Sequence, residues 1–156
     1  TDDAALVERA VEIYRAEYAA AGMYEARVYA GIEELCERLR ADGVLLRVVT
    51  SKAQVFAEKI VARFGLDRHF SRVYGPDLCG NHSDKTELIS HLLDAEKVHP
   101  RNAAMIGDRE YDMIGARANG VLAVGALWGF GSEAELEAAG AEVLASDPSA
   151  VIENFL

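Results

Sequence analysis

Asp108 and Asp112 stand four residues apart, with Glu110 between them, directly after the apolar run Ala103-Ala104-Met105-Ile106-Gly107. At a strand-to-helix corner that spacing lets both carboxylates point the same way. Carboxylate oxygens grouped there suit a hard cation such as Mg²⁺, which keeps several waters and bridges to phosphate. The plainer reading makes Asp112 a helix cap and leaves Asp108 facing solvent. Thr50 and Ser51 close a second apolar run, Val44 to Val49. Hydroxyls and backbone N–H groups at a helix start can receive an anion, or simply cap the helix. Lys85 follows the polar stretch Asn81-His82-Ser83-Asp84. It is either a fixed positive charge for a phosphate or developing oxyanion, or a solvated surface residue.

The elements that must place these groups are legible in the periodicity. Helical spacing runs from Asp3 to about Ala21 (Leu6, Val7, Ala10, Val11, Tyr14, Tyr18), with Gly22 as its stop. Met23 to Tyr29 reads as extended. A helix follows from about Gly31, with Ile32, Leu35, Cys36 and Leu39 on one face, and ends at Gly43. Val44 to Val49 is a nearly continuous apolar run, as in a strand covered on both faces. Then come a helix with Val55, Phe56, Ile60, Val61 and Phe64, a strand at Arg72-Val73-Tyr74, and a helix starting near Asp84. Next are the strand ending at Gly107, a helix from about Asp112 to Asn119-Gly120, and a strand at Val121 to Val124. A glycine-rich loop from Gly125 to Gly131, a helix from Ser132 to Ala139, a strand at Glu142 to Ala145 and a helix capped by Asp147-Pro148 complete the chain. Strands alternating with helices mean an α/β fold around a parallel sheet. Such sheets bind ligands at the carboxyl ends of their strands, where Thr50 and Asp108 fall.

Composition narrows the classes further. Hydrophobic residues are 51% and charged residues 27%, the balance of a globular domain. With 16 basic and 26 acidic residues the net charge is −10, which offers no general footprint for nucleic acid or an anionic membrane. No apolar run approaches the ~20 residues of a membrane span. Cys36 and Cys79 lie far apart and form no disulfide framework, in keeping with a reducing cytoplasm. The four histidines (His69, His82, His91, His99) show no metal-ligand spacing.

Taken in order, Val49-Thr50-Ser51-Lys52, Lys85 and Gly107-Asp108-Arg109-Glu110-Tyr111-Asp112 resemble motifs II, III and IV of the haloacid dehalogenase superfamily. The segments Tyr29-Ala30-Gly31-Ile32, Phe64-Gly65-Leu66, Gly115-Ala116-Arg117-Ala118-Asn119-Gly120 and Trp128-Gly129-Phe130-Gly131-Ser132 are similar to its phosphoglycolate phosphatase-like branch, and within it to the bacterial 5′-nucleotidase-like members. The resemblance implies a three-layer α/β/α Rossmann-like parallel sheet. It implies a Mg²⁺-dependent phosphatase that hydrolyses a small phosphorylated metabolite through an aspartyl-phosphate intermediate. Thr50 and the Ser51 backbone would bind phosphate, and Lys85 would hold both nucleophile and phosphate. Asp108 would be a metal ligand, and Asp112 a ligand or the support of one. A monomer or weak dimer in the cytoplasm is expected.

The family's first motif, Asp-x-Asp-Gly-Thr at the end of the first strand, does not occur in these 156 residues. Neither the nucleophile nor the general acid/base aspartate is therefore expected within them. The expected sheet lacks its first, central strand, between the strands ending at Thr50 and Asp108. Residues 1–22 would be the last helix of an α-helical cap and residues 23–156 an incomplete catalytic core. The chain is thus expected to be the C-terminal portion of a longer enzyme, inactive by itself.

Two rival readings compete. Gly129-x-Gly131-x-x-Ala134 matches a dinucleotide-binding fingerprint, with Asp147 18 residues beyond Gly129. Only nine residues follow Asp147, too few to complete a nucleotide-binding half. The segment then reads as a loop near the site's rim, where Trp128 and Phe130 either shape substrate access or pack. The other rival is a non-catalytic module that keeps the phosphate and Mg²⁺ site without the chemistry.

Overall fold

The computed structural model describes residues 4–20, 22 and 25–155. Helix α1 spans Ala4–Ala20 and α2 spans Ile32–Ala41. Strand β1 (Leu46–Val49), α3 (Gln54–Arg63) and β2 (Phe70–Tyr74) follow, then α4 (Lys85–Glu96). Strand β3 (Ala104–Gly107), α5 (Glu110–Ala118), β4 (Leu122–Ala126), α6 (Glu133–Ala139), β5 (Val143–Ala145) and α7 (Pro148–Phe155) complete the order.

All strand pairing is parallel. β1 pairs with β2, and β3, β4 and β5 form a second sheet in that order. The two sheets are one layer because they share the same two cores. Side chains alternate across a strand, so Val49, Met105, Ala123 and Leu144 face one core with Ile89, Met113, Ala116 and Leu136 from α4, α5 and α6. Leu46, Ile106, Val124 and Ala145 face the other, with Leu35 and Leu39 from α2 and Val151 from α7. That is the expected three-layer α/β/α arrangement. β1 and β3 do not pair with each other, so each has one edge without a strand partner among the described residues. This edge explains one departure from expectation. The apolar run predicts a β1 buried on both faces, yet all four of its residues are only half-buried.

Other departures are local. β1 begins at Leu46, because Val44 and Leu45 remain exposed ahead of it. Residues 25–29 form no strand, and Met23 and Tyr24 lie outside the described residues. Two single 3₁₀ turns, Leu66–Arg68 and Pro100–Asn102, precede β2 and β3, and nothing in the periodicity marks them. The helical spacing of α1 does not translate into burial. Leu6, Val7 and Tyr14 are exposed, and the helix meets the rest through Tyr18 against Phe56 and Lys52 and through Arg15 on the Leu78 carbonyl, among other contacts. Asp3, where that spacing begins, and the side chain of Phe155 lie outside the described residues. Cys36 is core, as expected, and Cys79 is exposed.

Candidate active site

The carboxyl ends of β1 and β3 bring the expected residues together through one side chain, Lys85. It stands at the first position of α4, whose N-cap Asp84 accepts the Glu87 amide. From there the aliphatic stem lies against Gly115 of α5, where a Cβ would come within 3.0 Å of Lys85 Cγ. The ammonium donates to the Val49 carbonyl at 3.1 Å and to Asp112 Oδ1 at 3.0 Å. Lys85 thus spans the interval between β1 and the start of α5. It is 8% exposed, which removes the surface-lysine reading.

Asp112 is equally buried and bonded through both of its oxygens. Its Oδ1 receives Lys85, and its Oδ2 accepts the Arg109 amide at 3.3 Å. The bond to Arg109 is a helix-start bond, which agrees with the cap reading of Asp112. Helix α5 begins at Glu110, two residues earlier than the pattern indicates, which places Asp112 in its first turn. Gly107 is the reason the carboxylate fits, because a Cβ there would overlap Asp112.

Asp108 is half-buried, one residue past β3. A turn after β4 closes over it. The Phe130 amide donates to Asp108 Oδ2 at 2.9 Å and the Gly131 amide to the Asp108 carbonyl at 2.8 Å. A side chain at Gly129 or Gly131 would overlap Asp108. Those glycines match the dinucleotide fingerprint, and their role here is to admit Asp108 rather than a pyrophosphate. Arg109 Nε and the Glu110 amide both donate to Glu135 Oε1, at 2.9 and 3.1 Å, which fastens α5 to α6 beside the turn. The Arg109 guanidinium bonded to Glu135 holds that carboxyl below the usual range. Asp108 Oδ1 has no protein partner among the described residues. A lone carboxylate oxygen, fixed through its sibling and open on one side, fits a hard cation. Asp112 carries one bond on each oxygen, and each oxygen keeps a further lone pair.

Thr50 continues β1 by donating its amide to the Tyr74 carbonyl at 2.9 Å, and its Oγ1 accepts the Lys52 amide at 3.1 Å. Ser51 is exposed, and its amide has no partner among the described residues. Trp128 packs against the α2–α7 core, whereas Phe130 is 85% exposed.

Sequence reasoning passes over one grouping. Glu33, Glu37 and the buried His69 bring ligand-type atoms within 4.8 Å of one another. A cation of the chain's own already sits there, since Arg68 pairs with Glu33 and donates to His69 Nε2. Only the spacing of Glu33 and Glu37 on one helix face is readable, because the 3₁₀ turn that presents His69 leaves no periodic signal.

A family model for haloacid dehalogenase-like hydrolases matches residues 1–126. The chain belongs to that family. A 5′-nucleotidase from Pseudomonas aeruginosa is 48% identical over 136 residues, covering 87% of this chain and 62% of the relative. The tyrosine-protein kinase PtkA of Mycobacterium tuberculosis is 37% identical over 124 residues, covering 80% of this chain and 43% of the kinase. A solved structure of a predicted phosphatase from Clostridium acetobutylicum superposes with a TM-score of 0.89 at 38% identity, covering 93% of this chain and 67% of that one. The chain therefore spans between two fifths and two thirds of these haloacid dehalogenase-like relatives. Among the described residues no helix is long and apolar enough to cross a membrane.

Proposed function

We propose that this chain carries the phosphate- and metal-handling part of a Mg²⁺-dependent phosphatase. Its substrate class is a small phosphate monoester, its setting the cytoplasm. The observation that carries the reading is Lys85. A lysine this buried is stable only with partners, and its partners place the charge between the end of β1 and the carboxylates that open α5. That is where a transferring phosphoryl group would sit.

In this reading Thr50 Oγ1 and the Ser51 amide would bind the phosphate oxygens, and Lys85 would balance their charge. Asp108 offers Oδ1 to the metal, and Mg²⁺, when bound, neutralises charge on the phosphoryl group. Asp112 holds Lys85 in place, the supporting one of its two expected roles. The attacking aspartate of the aspartyl-phosphate route is not among these residues; in this reading it is supplied from outside them, at the unpaired edges of β1 and β3. Residues 1–22 then belong to a cap over the site. The names of the relatives agree with phosphoryl chemistry of this kind, as 5′-nucleotidase and, at 30% identity, a phosphoglycolate phosphatase from Neisseria meningitidis.

The test is a panel of phosphate monoesters with the full product of the gene, with Mg²⁺ and with excess chelator. Hydrolysis should require the metal, and Asp108→Asn should lower kcat/KM by at least about 100-fold. Metal-independent turnover, or full activity in Asp108→Asn, would overturn the reading. Mg²⁺ binding without hydrolysis of any ester would favour the non-catalytic module.

A further inference from the structure

We propose that Asn119 is a positioning residue for Lys85. It clasps the end of α5 to the first turn of α4, so that the ammonium is held between Val49 and Asp112. The inference rests on the phosphatase reading above and adds a residue that acts at the site without touching it.

Asn119 is the C-cap of α5 and is half-buried. Its side-chain nitrogen has two hydrogens to give, and both are used. One goes to the Gly115 carbonyl at 2.8 Å and the other to the Thr86 carbonyl at 2.9 Å. Two carbonyl acceptors leave the amide only one orientation. The first bond is a cap. The Asn119 backbone amide turns to the Ala116 carbonyl at 3.1 Å, so the Gly115 carbonyl near the helix end is left to the side chain. The second bond has no such local use. It crosses to another helix, 33 residues away in sequence, and lands on the residue next to Lys85.

The spacing along α5 shows what the second bond does. Asp112, Gly115 and Asn119 stand at i, i+3 and i+7, one stripe of a helix, and each meets the start of α4. Asp112 pairs with the Lys85 ammonium at 3.0 Å. Gly115 admits the Lys85 stem, since a Cβ there would stand 3.0 Å from Lys85 Cγ and 3.3 Å from the Lys85 carbonyl carbon. Asn119 takes the next carbonyl along. The charge, the stem and the backbone of Lys85 are thus each held by one residue of the stripe. Without the Asn119 bond the first turn of α4 can draw back from α5 and carry the ammonium away from Val49. A fixed charge stabilises a transferring phosphoryl group only where it is already in place.

The experiment uses the full gene product as wild type, Asn119→Ala and Gly115→Ala. The readouts are kcat/KM for a phosphate monoester, inhibition by inorganic phosphate, Mg²⁺ affinity by isothermal titration, and the urea midpoint. A displaced Lys85 predicts that Asn119→Ala lowers kcat/KM by about tenfold and weakens phosphate inhibition by a similar factor. Mg²⁺ affinity, set at Asp108, should stay within about twofold. Gly115→Ala crowds the stem from the same stripe and should give the same pattern, which keeps the test open if Asn119→Ala does not fold. A lower urea midpoint with kcat/KM and phosphate inhibition unchanged makes Asn119 a cap alone. That result overturns the inference and leaves the phosphatase reading standing. Phosphate and Mg²⁺ binding weakened together place the effect in the fold at large and also overturn it, as does the failure of both variants to fold. If the wild type hydrolyses no phosphate ester, both readings fall together.

Discussion

Lys85 concentrates the consequences that belong to single residues. Its ammonium and the Asp112 carboxylate are both buried, and removing one partner strands the other's charge. Lys85→Met should therefore destabilise the fold by about 3 kcal/mol, measured by urea unfolding. Pairing it with Asp112→Asn should recover part of the loss, since the stranded charge is gone. A fully additive double variant would mean that the two groups do not depend on each other. The candidate site residues are legible in the amino-acid sequence. Thr50, Lys85, Asp108 and Asp112 carry the resemblance, and the strand ends place them together. What is not legible there is who holds whom. The spacing admits Asp112 as a cap or a ligand, and only the contacts show it bonded to Lys85 on one oxygen and to an amide on the other.

At the scale of elements, the turn from Trp128 to Gly131 decides the shape of the site. It places two amides and two missing side chains around Asp108. A methyl at Gly129 has no room unless the turn lifts, which would break the Phe130 amide bond to Asp108 Oδ2. Gly129→Ala should thus weaken Mg²⁺ binding by about tenfold, the usual scale for a group that orients a metal ligand. Isothermal titration of the full gene product checks this, and unchanged affinity would mean that Asp108 keeps its orientation without the turn. Helix and strand order is readable almost throughout, because the change from period 3.6 to short apolar runs is sharp around Val44 and Ala103. Boundaries slip where something other than periodicity sets them. Helix α5 starts at Glu110 because Glu135 accepts that residue's amide from another helix. Contacts this distant in sequence leave no trace in local pattern.

For the whole molecule, Glu96 links α4 to β1 and β2. It accepts from Arg47 at 2.6 Å and from the Tyr74 hydroxyl at 2.6 Å, with Arg72 near. The hydrogen bond from Arg47, then that from Tyr74, hold its carboxyl at about 2, against the usual value near 4.3. A carboxyl lowered by folding contributes stability that is complete above its unfolded value and is lost as pH falls toward its folded one. Stability should accordingly decline from about pH 5 to pH 2. Glu96→Gln should be less stable at pH 7 and should show a flatter decline over that interval, followed by urea unfolding at each pH. An unaltered pH profile would show that the ion pairs contribute nothing net.

The division of the strand layer has a further consequence for how the molecule opens. Each sheet is built from consecutive stretches of chain, residues 46–74 for one and 104–145 for the other. The side chains with no exposed surface, Met113, Ala116, Ala123, Val124, Leu136 and Ala145, all belong to the second stretch. Local opening begins where fewest side chains are enclosed. The first stretch has none with zero exposure and is the less enclosed of the two. Its opening would carry Thr50 and Ser51 away from Asp108 while the carboxylate and its turn stayed folded.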